Sequence, residues 1–242
     1  MNHIQEIIRE VEEKSGFTVV LKHSPEIPTL ATVRMARREG LCHVVQYQKE
    51  GSETDYLIAY QLGFILRQYS LAESERWDLA VSDLEKSKAV VELDLAELPK
   101  EVSSSLIDSL MIQLRSCVIG LKVDEWIMSD YPILKKAQFS SVTGQLNQNV
   151  SCLSPEIRDK FPRKLIDANT SMNAVYAKYW SEKTDDLRHF LPYLSIGYSD
   201  IARRLYDVFL DTPDDPLHDS TLIQKWAEIL RLDNLYHLER KS

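Results

Sequence analysis

An almost unbroken apolar run, residues 55–67, limits how the first part of this chain can fold. Its sequence is DYLIAYQLGFILR, and apart from two tyrosine hydroxyls its only polar side chains are Asp55, Gln61 and Arg67. The run is longer than a typical strand, so it predicts a helix that is buried on most of its surface. Thr54 or Asp55 is placed to cap its first turn. Neighbouring elements have to cover this helix.

The residues before this run predict one helix, one strand and one hairpin. Apolar side chains recur at helical spacing near the N-terminus, and Gly16 follows them as a C-cap. Residues 17–21 are β-branched or apolar and predict a short strand. Segments 30–36 and 41–48 predict two further strands joined by a turn at Gly40. This order predicts a small antiparallel sheet packed against the buried helix.

Downstream of this helix the apolar spacing is almost entirely helical. Residues 89–98 also alternate apolar and charged side chains, which permits a short strand. Gly120 is expected to end or bend the longest helix. The predicted helices are 71–84 with Trp77 on the apolar side, 101–119, 123–128, 155–182, 186–210 with interruptions near Pro192 and Gly197, and 221–238.

A polar segment divides the chain into two predicted regions. Residues 138–154 are rich in Ser, Asn, Gln and Thr and predict a loop or linker. They separate an α+β region, residues 1–137, from a helical region, residues 155–242. The predicted fold class is α+β and predominantly helical, with a small antiparallel sheet on the buried helix and an all-helical C-terminal half.

Inside the apolar run, Tyr60-Gln61-Leu62-Gly63-Phe64 has the spacing of a zinc-peptidase motif without its zinc chemistry. In His-Glu-x-x-His, two imidazoles at i and i+4 bind zinc beside a general-base carboxylate. Here Tyr60 and Phe64 hold the ligand positions, and Gln61 holds the position of the base. The hairpin before the helix and the apolar residues around the motif make residues 1–130 resemble the ImmA/IrrE-type zinc metallopeptidases.

The resemblance implies a zincin-like fold in which the buried helix carries the motif. It also implies an acidic third ligand from a later helix, for which Asp124 and Glu125 are the candidates. A phenyl ring cannot ligate a metal, a phenol replaces imidazole poorly, and an amide cannot accept a proton from water. We therefore expect no metal, no cofactor and no zinc hydrolysis at this site. An ordinary amphipathic helix with Tyr60 and Phe64 in a core is the alternative interpretation.

Other catalytic signatures are missing from the sequence. The six histidines, at positions 3, 23, 43, 189, 218 and 237, include no pair at i,i+3 or i,i+4. Cys42 and His43 are adjacent on a predicted strand, where neighbours point to opposite faces, so they make a poor nucleophile–base pair. Phosphate-binding loops and serine-hydrolase elbows do not occur. The three cysteines form no Cys-x-x-Cys pair, which indicates reduced thiols in a cytoplasmic protein.

Charge and composition exclude several classes of partner. The net charge of −8 disfavours binding to nucleic acid or to an anionic membrane. Apolar runs are too short for a membrane span, and the first residues show no signal-peptide pattern. The sequence does not predict an oligomeric state.

The expected function is a non-catalytic, metallopeptidase-like module that binds a protein or peptide. An extended peptide would add to a sheet edge, over a cleft lined by Tyr60 and Phe64. Aromatic residues of the helical half offer a further partner surface. They are Tyr176, Tyr179, Trp180, Tyr193 and Tyr198. Two alternatives stay open, which are an enzyme with a carboxylate-based site and a structural helical subunit of a complex.

Overall fold

Helices make up most of the protein, whose computed structural model describes residues 3–37 and 41–240. Over these residues it contains ten α-helices, a three-stranded sheet and a two-stranded sheet. The predicted class, α+β and predominantly helical, is confirmed. The described residues divide into two compact units, the first formed by 3–37, 41–76 and 120–144 and the second by 77–119 and 145–240.

The first unit begins with the predicted order of elements. Helix α1 covers His3–Ser15 and buries Ile4, Ile7 and Val11, which lie on one helical face. Gly16 follows it with a φ of 75°, the left-handed conformation of a helix C-cap. The next elements are β1 (Val19–His23), β2 (Ala31–Arg34), β3 (His43–Tyr47) and α2 (Thr54–Tyr69).

β3 is the central strand of the three-stranded sheet, with β1 on one side and β2 on the other. β2 and β3 are antiparallel, with Val33 opposite Val45, so the predicted pairing of these strands is confirmed. The predicted turn residue, Gly40, lies outside the described residues. β1 pairs with β3 in parallel, with Leu21 beside Val45. The sheet is therefore mixed rather than wholly antiparallel, because its two edge strands run in opposite directions.

α2 is the buried helix that the apolar run predicts. Ten of its sixteen residues are buried. It packs against α1 and contacts β2 and β3. On β3, His43 and Val45 are fully buried, whereas Val20 on β1 and Arg34 on β2 are exposed. Alternate residues of a strand point to opposite faces, so one face of the sheet is covered and the other is open.

Two long helices contribute to both units. They are α4 (Lys100–Asp130) and α5 (Lys135–Ser151). α4 continues through Gly120, so this glycine does not end the helix, and that part of the prediction is wrong. A single glycine costs a helix interior only about 1 kcal/mol, which tertiary packing outweighs.

The polar segment 138–154 is mostly helical, since α5 extends to Ser151. The predicted loop is wrong for these residues. Gln138, Val142 and Leu146 are buried at i, i+4 and i+8, and this stripe outweighs the weak helix propensity of the serines and asparagines between them. The sequence analysis divides the chain at one polar segment. In the structure, residues 77–119 group with residues 145–240.

The second unit begins with a strand where the sequence predicts a helix. Trp77 opens β4 (Trp77–Ala80), which pairs antiparallel with β5 (His237–Arg240) near the C-terminus. The predicted helices 71–84 and 221–238 are therefore wrong at these residues, and the C-terminal half is not all-helical. Local apolar spacing does not reveal a partner strand so distant in the sequence.

The remaining elements of the second unit are helices. Ser82 caps α3 and forms a capping box with Glu85, whose carboxylate also contacts His237 at 2.8 Å. The segment 89–98 contains the end of this helix and no strand. The helices are α3 (Asp83–Glu92), α6 (Pro155–Arg158), α7 (Arg163–Thr184), α8 (Leu191–Ser195), α9 (Ser199–Asp211) and α10 (Asp219–Leu230).

The aromatic residues predicted as a partner surface belong mainly to the core of this unit. Tyr179 and Tyr193 are fully buried and Trp180 is 1% exposed. Tyr198 is also buried, and only Tyr176 is half-buried. Large aromatic rings at helical spacing bury more apolar area than any other side chains, so they form the interior.

Candidate functional site

The motif positions on α2 carry a row of aromatic rings. Tyr56, Tyr60 and Phe64 lie one turn apart and therefore on the same face of the helix. The ring centroids of Tyr56 and Tyr60 are 5.9 Å apart, and those of Tyr60 and Phe64 are 5.3 Å apart. Phe64 is 8% exposed and Tyr60 is half-buried. Packed rings thus occupy the two positions that the sequence analysis compares with zinc ligands.

The aromatic row lies against a glycine of α4. A Cβ atom at Gly120 would be 2.0 Å from Tyr60 Oη and 3.1 Å from Cζ of the same ring. Only a residue without a side chain allows the phenol this close to the helix backbone. Gly120 is therefore required for the approach of Tyr60.

α2 has a matching glycine that receives side chains of α4. A Cβ atom at Gly63 would be 2.5 Å from Val123 Cγ1 and 3.2 Å from the Trp126 ring. Each helix thus supplies one glycine against which a side chain of the other helix packs. A glycine inside an apolar helical run signals such a close approach, and this signal was available in the sequence.

Asp124, one of the two acidic residues predicted for the site, does lie at the aromatic row. Its Oδ1 accepts hydrogen bonds from Tyr56 Oη at 3.0 Å and from Gln138 Nε2 at 2.9 Å. The side chain is fully buried, and burial raises the pKa of Asp124 to about 7, with the neighbouring Glu125 charge acting in the same direction. Glu125 itself is half-buried.

Gln138 is a site residue that the sequence prediction missed. Its amide also donates to the main-chain oxygen of Asp124 at 3.2 Å, so it holds both the side chain and the backbone of that residue. Gln138 is fully buried in α5. Because its segment was predicted as a polar loop, nothing singled this glutamine out.

Gln61, which the sequence analysis compares with a catalytic base, contacts the sheet. Its Nε2 donates to the main-chain oxygen of Ala31 on β2 at 3.3 Å. Thr29 Oγ1 donates to the same oxygen at 3.2 Å. An amide at this position acts as a hydrogen-bond donor to the edge strand and cannot act as a base towards water.

The central strand β3 begins with a buried histidine, to which the sequence analysis assigns no function. His43 is fully buried, and its Nδ1 accepts a hydrogen bond from the Ala36 N–H at 3.0 Å. The rings of Phe17 and Tyr69 contact it edge-on at centroid distances of 5.6 and 5.2 Å. Burial lowers the pKa of His43 to about 4, against the attraction of Glu12. His43 is therefore a neutral core residue at physiological pH.

Donor groups for a metal ion are not assembled in the part of the chain that the structure describes. Over residues 3–37 and 41–240, no three His, Cys, Asp or Glu side chains are grouped so that they could hold one. Of the five predicted site residues, Tyr60, Phe64 and Asp124 belong to the aromatic row and its contacts, whereas Gln61 hydrogen-bonds to β2. Asp124 is the only one of them with a carboxylate on the aromatic row.

Comparisons with known proteins leave the chain without an assigned family. No protein-family model matches it, and neither a curated protein nor a solved structure matches it significantly. Among the described residues, no helix has both the length and the apolar character needed to cross a membrane.

Proposed function

We propose that this protein is a non-catalytic, metallopeptidase-like module that binds an extended protein or peptide segment at the edge of β2. The observation that carries the proposal concerns the side chains at the motif positions of α2. Packed rings occupy its two ligand positions, and the residue at the base position hydrogen-bonds to the edge strand. The zincin-like ancestry, the protein partner and the cytoplasmic location are parts of this proposal.

The chemistry of α2 supports a binding role rather than hydrolysis. Zinc peptidases need imidazole or carboxylate ligands and a base that takes a proton from the bound water. Tyr60, Gln61 and Phe64 replace all three groups at once. Asp124 has a suitable carboxylate, but it accepts hydrogen bonds from Tyr56 and Gln138 and is fully buried.

The geometry of β2 supports strand addition. The Gln48 N–H donates to the Leu30 oxygen at 2.9 Å, so Leu30, Thr32 and Arg34 make the hydrogen bonds to β3. Ala31 and Val33 consequently turn their main-chain N–H and C=O groups away from β3, towards the open edge. An extended segment binds such an edge through main-chain hydrogen bonds. Neither nucleic acid nor a membrane is part of the proposal, since the chain carries a net charge of −8.

A zinc-restoration experiment tests the ancestry. The triple variant Tyr60→His, Gln61→Glu, Phe64→His restores both ligands and the base, and the smaller ring at position 60 frees space beside Gly120. We expect the folded variant to bind one equivalent of zinc by calorimetry and elemental analysis. A matched control, Tyr60→His with Phe64→Ala, carries one imidazole and is expected to bind none. A folded triple variant without zinc affinity would favour the ordinary amphipathic helix.

A peptide-display experiment tests the binding site. Random dodecapeptides displayed on phage are selected on the purified protein, and the recovered sequences are measured as synthetic peptides. Val33→Pro removes an outward N–H from β2 and adds a ring at the edge, so binding should be lost. Leu21→Pro makes the same change on the outward side of β1 and should leave binding intact. Equal loss in both variants, or none in either, would contradict the proposed site.

A further inference from the structure

The β2 edge is occupied by two of the protein's own side chains. Gln61 Nε2 and Thr29 Oγ1 both donate to the Ala31 oxygen, at 3.3 and 3.2 Å. A carbonyl oxygen has two lone pairs, so these two donors use its whole accepting capacity. Ala31 is one of the two strand residues whose main-chain groups face the open edge.

The oxygen that accepts from the Gln61 amide is one that an added strand would need. In a β-ladder the outward C=O of an edge residue accepts a main-chain N–H from the next strand. At Ala31 the side-chain N–H of Gln61 takes that place. Thr29 is two residues from Ala31 in the same segment, whereas Gln61 reaches it from α2. Of the two donors, Gln61 makes the longer hydrogen bond and comes from a separate element.

We propose that Gln61 is an autoinhibitory contact that closes the β2 edge in the free protein. The inference rests on the proposed function, because it concerns the same edge. A bound segment displaces the Gln61 amide and puts its own N–H on the Ala31 oxygen. The exchange breaks one side-chain hydrogen bond and forms one main-chain hydrogen bond, so the contact lowers the affinity for a ligand without preventing binding.

The Gln61 contact also protects the β2 edge from pairing with other chains. An exposed strand edge pairs readily with other chains, and proteins commonly block it with polar or charged side chains. A displaceable amide blocks the edge against weak, unselective pairing and yields to a ligand that makes further contacts. Glutamate at this position, as in a zinc peptidase, has no N–H to donate and would leave Thr29 as the remaining side-chain donor to the Ala31 oxygen.

The test uses the peptides recovered by display and the full-length protein. Gln61→Met keeps the length of the side chain and removes the donor, so we expect peptide affinity to rise about three- to tenfold, the worth of one neutral hydrogen bond. Gln61→Leu provides a second donor-free side chain if the methionine variant folds poorly. In the wild type, the Gln61 side-chain amide resonances should shift when peptide saturates the protein.

The outcomes separate this inference from the proposed function. If Val33→Pro abolishes binding but Gln61→Met binds no tighter than the wild type, the autoinhibitory contact is refuted and the binding edge stands. Weaker binding by Gln61→Met would show that the amide contacts the ligand, which also overturns it. If neither the wild type nor Gln61→Met retains any displayed peptide, both proposals fail.

Discussion

The phenol of Tyr60 lies directly against the backbone of Gly120, and a Cβ atom at residue 120 would be 2.0 Å from the Tyr60 oxygen. The ring cannot easily turn away, because Tyr56 and Phe64 contact it at centroid distances of 5.9 and 5.3 Å. Tyr60 and Gly120 are therefore a matched pair, each of which limits what the other position accepts. The predicted site on α2 is filled through this pair.

Gly120→Ala should destabilise the wild type by about 1–3 kcal/mol, because the added methyl group overlaps the Tyr60 hydroxyl. In a Tyr60→Phe background the nearest ring atom, Cζ, would be 3.1 Å from that methyl group. There the better helix propensity of alanine should offset most of the cost. Urea denaturation of the two single variants and the double variant measures the coupling energy.

Gly144→Ala is the control for this cycle. Gly144 is also in a helix of the first unit, and a Cβ atom there would meet nothing within 4 Å. This substitution should stabilise the protein by up to about 1 kcal/mol. Equal effects of alanine at residues 120 and 144 would contradict the steric account.

Two buried groups of the first unit should cancel each other in the pH dependence of stability. Burial lowers the pKa of His43 from 6.5 to about 4, so its contribution is present above pH 6.5 and is lost as the pH falls towards 4. Burial raises the pKa of Asp124 from 3.8 to about 7, so its contribution is present below pH 3.8 and is lost as the pH rises towards 7. Between pH 4.5 and 6 the free energy of unfolding should be nearly flat.

Substituting either residue should reveal the pH dependence that the other contributes to the free energy of unfolding. In Asp124→Asn the free energy of unfolding should rise with pH by about 1.4 kcal/mol per unit over that window. In His43→Phe it should fall with pH by a similar amount. Denaturation at four pH values for each variant gives the slopes, which are independent of any constant cost of the substitution. Parallel flat profiles in all three proteins would refute the opposing shifts.

A ring of three amides in the second unit should be sensitive to truncation. Asn169 Nδ2 donates to Gln113 at 2.7 Å, Gln113 Nε2 donates to Asn173 at 3.1 Å, and Asn173 Nδ2 returns to Asn169 at 3.1 Å. Asn173→Ala leaves one donor and one acceptor of the ring unpaired and should cost about 1–3 kcal/mol.

The exposed helical residue Asn147 provides the comparison for this ring. Asn147→Ala should change the free energy of unfolding by less than about 0.5 kcal/mol. Combining Asn169→Ala with Asn173→Ala should cost less than the sum of the single changes, because the first already breaks the ring. Additive losses would mean that the three amides act separately.

The C-cap of α10 offers a stabilising substitution. Arg231 has a φ of 60°, a left-handed conformation that strains any residue with a Cβ atom. Arg231→Gly should raise the free energy of unfolding by about 0.5–1 kcal/mol, after the entropy cost of glycine in the unfolded chain. Arg231→Ala keeps the Cβ atom and removes the charge, so thermal melting should show no gain. A similar gain in both variants would assign the effect to charge.

How far the sequence predicts this fold depends on how local each signal is. α1, the pairing of β2 with β3, and α2 follow from periodicity within short windows. The strand β4 was missed because Trp77 pairs with Arg240, a partner that no local pattern identifies. The course of α4 was missed because Gly120 was interpreted by its propensity, whereas its neighbour Tyr60 decides its role.

The candidate site was predictable in position but not in detail. The spacing of Tyr60 and Phe64 on α2 follows from the sequence, and Asp124 was singled out through the family resemblance. Gln138 was not, because its burial depends on the packing of α5 and not on the composition of its segment. The hydrogen bond from Gln61 to Ala31 joins a helix to a strand and needs the three-dimensional structure.

The central place of β3 has a consequence for biosynthesis. β1 and β2 do not pair with each other, and β3 follows both in the chain. Until residue 47 has left the ribosome, neither edge strand has its partner, and the nascent segment carries two unpaired strand sequences. The sheet cannot grow strand by strand as a meander does. Both of its ladders form only once β3 is available, because each edge strand pairs with β3.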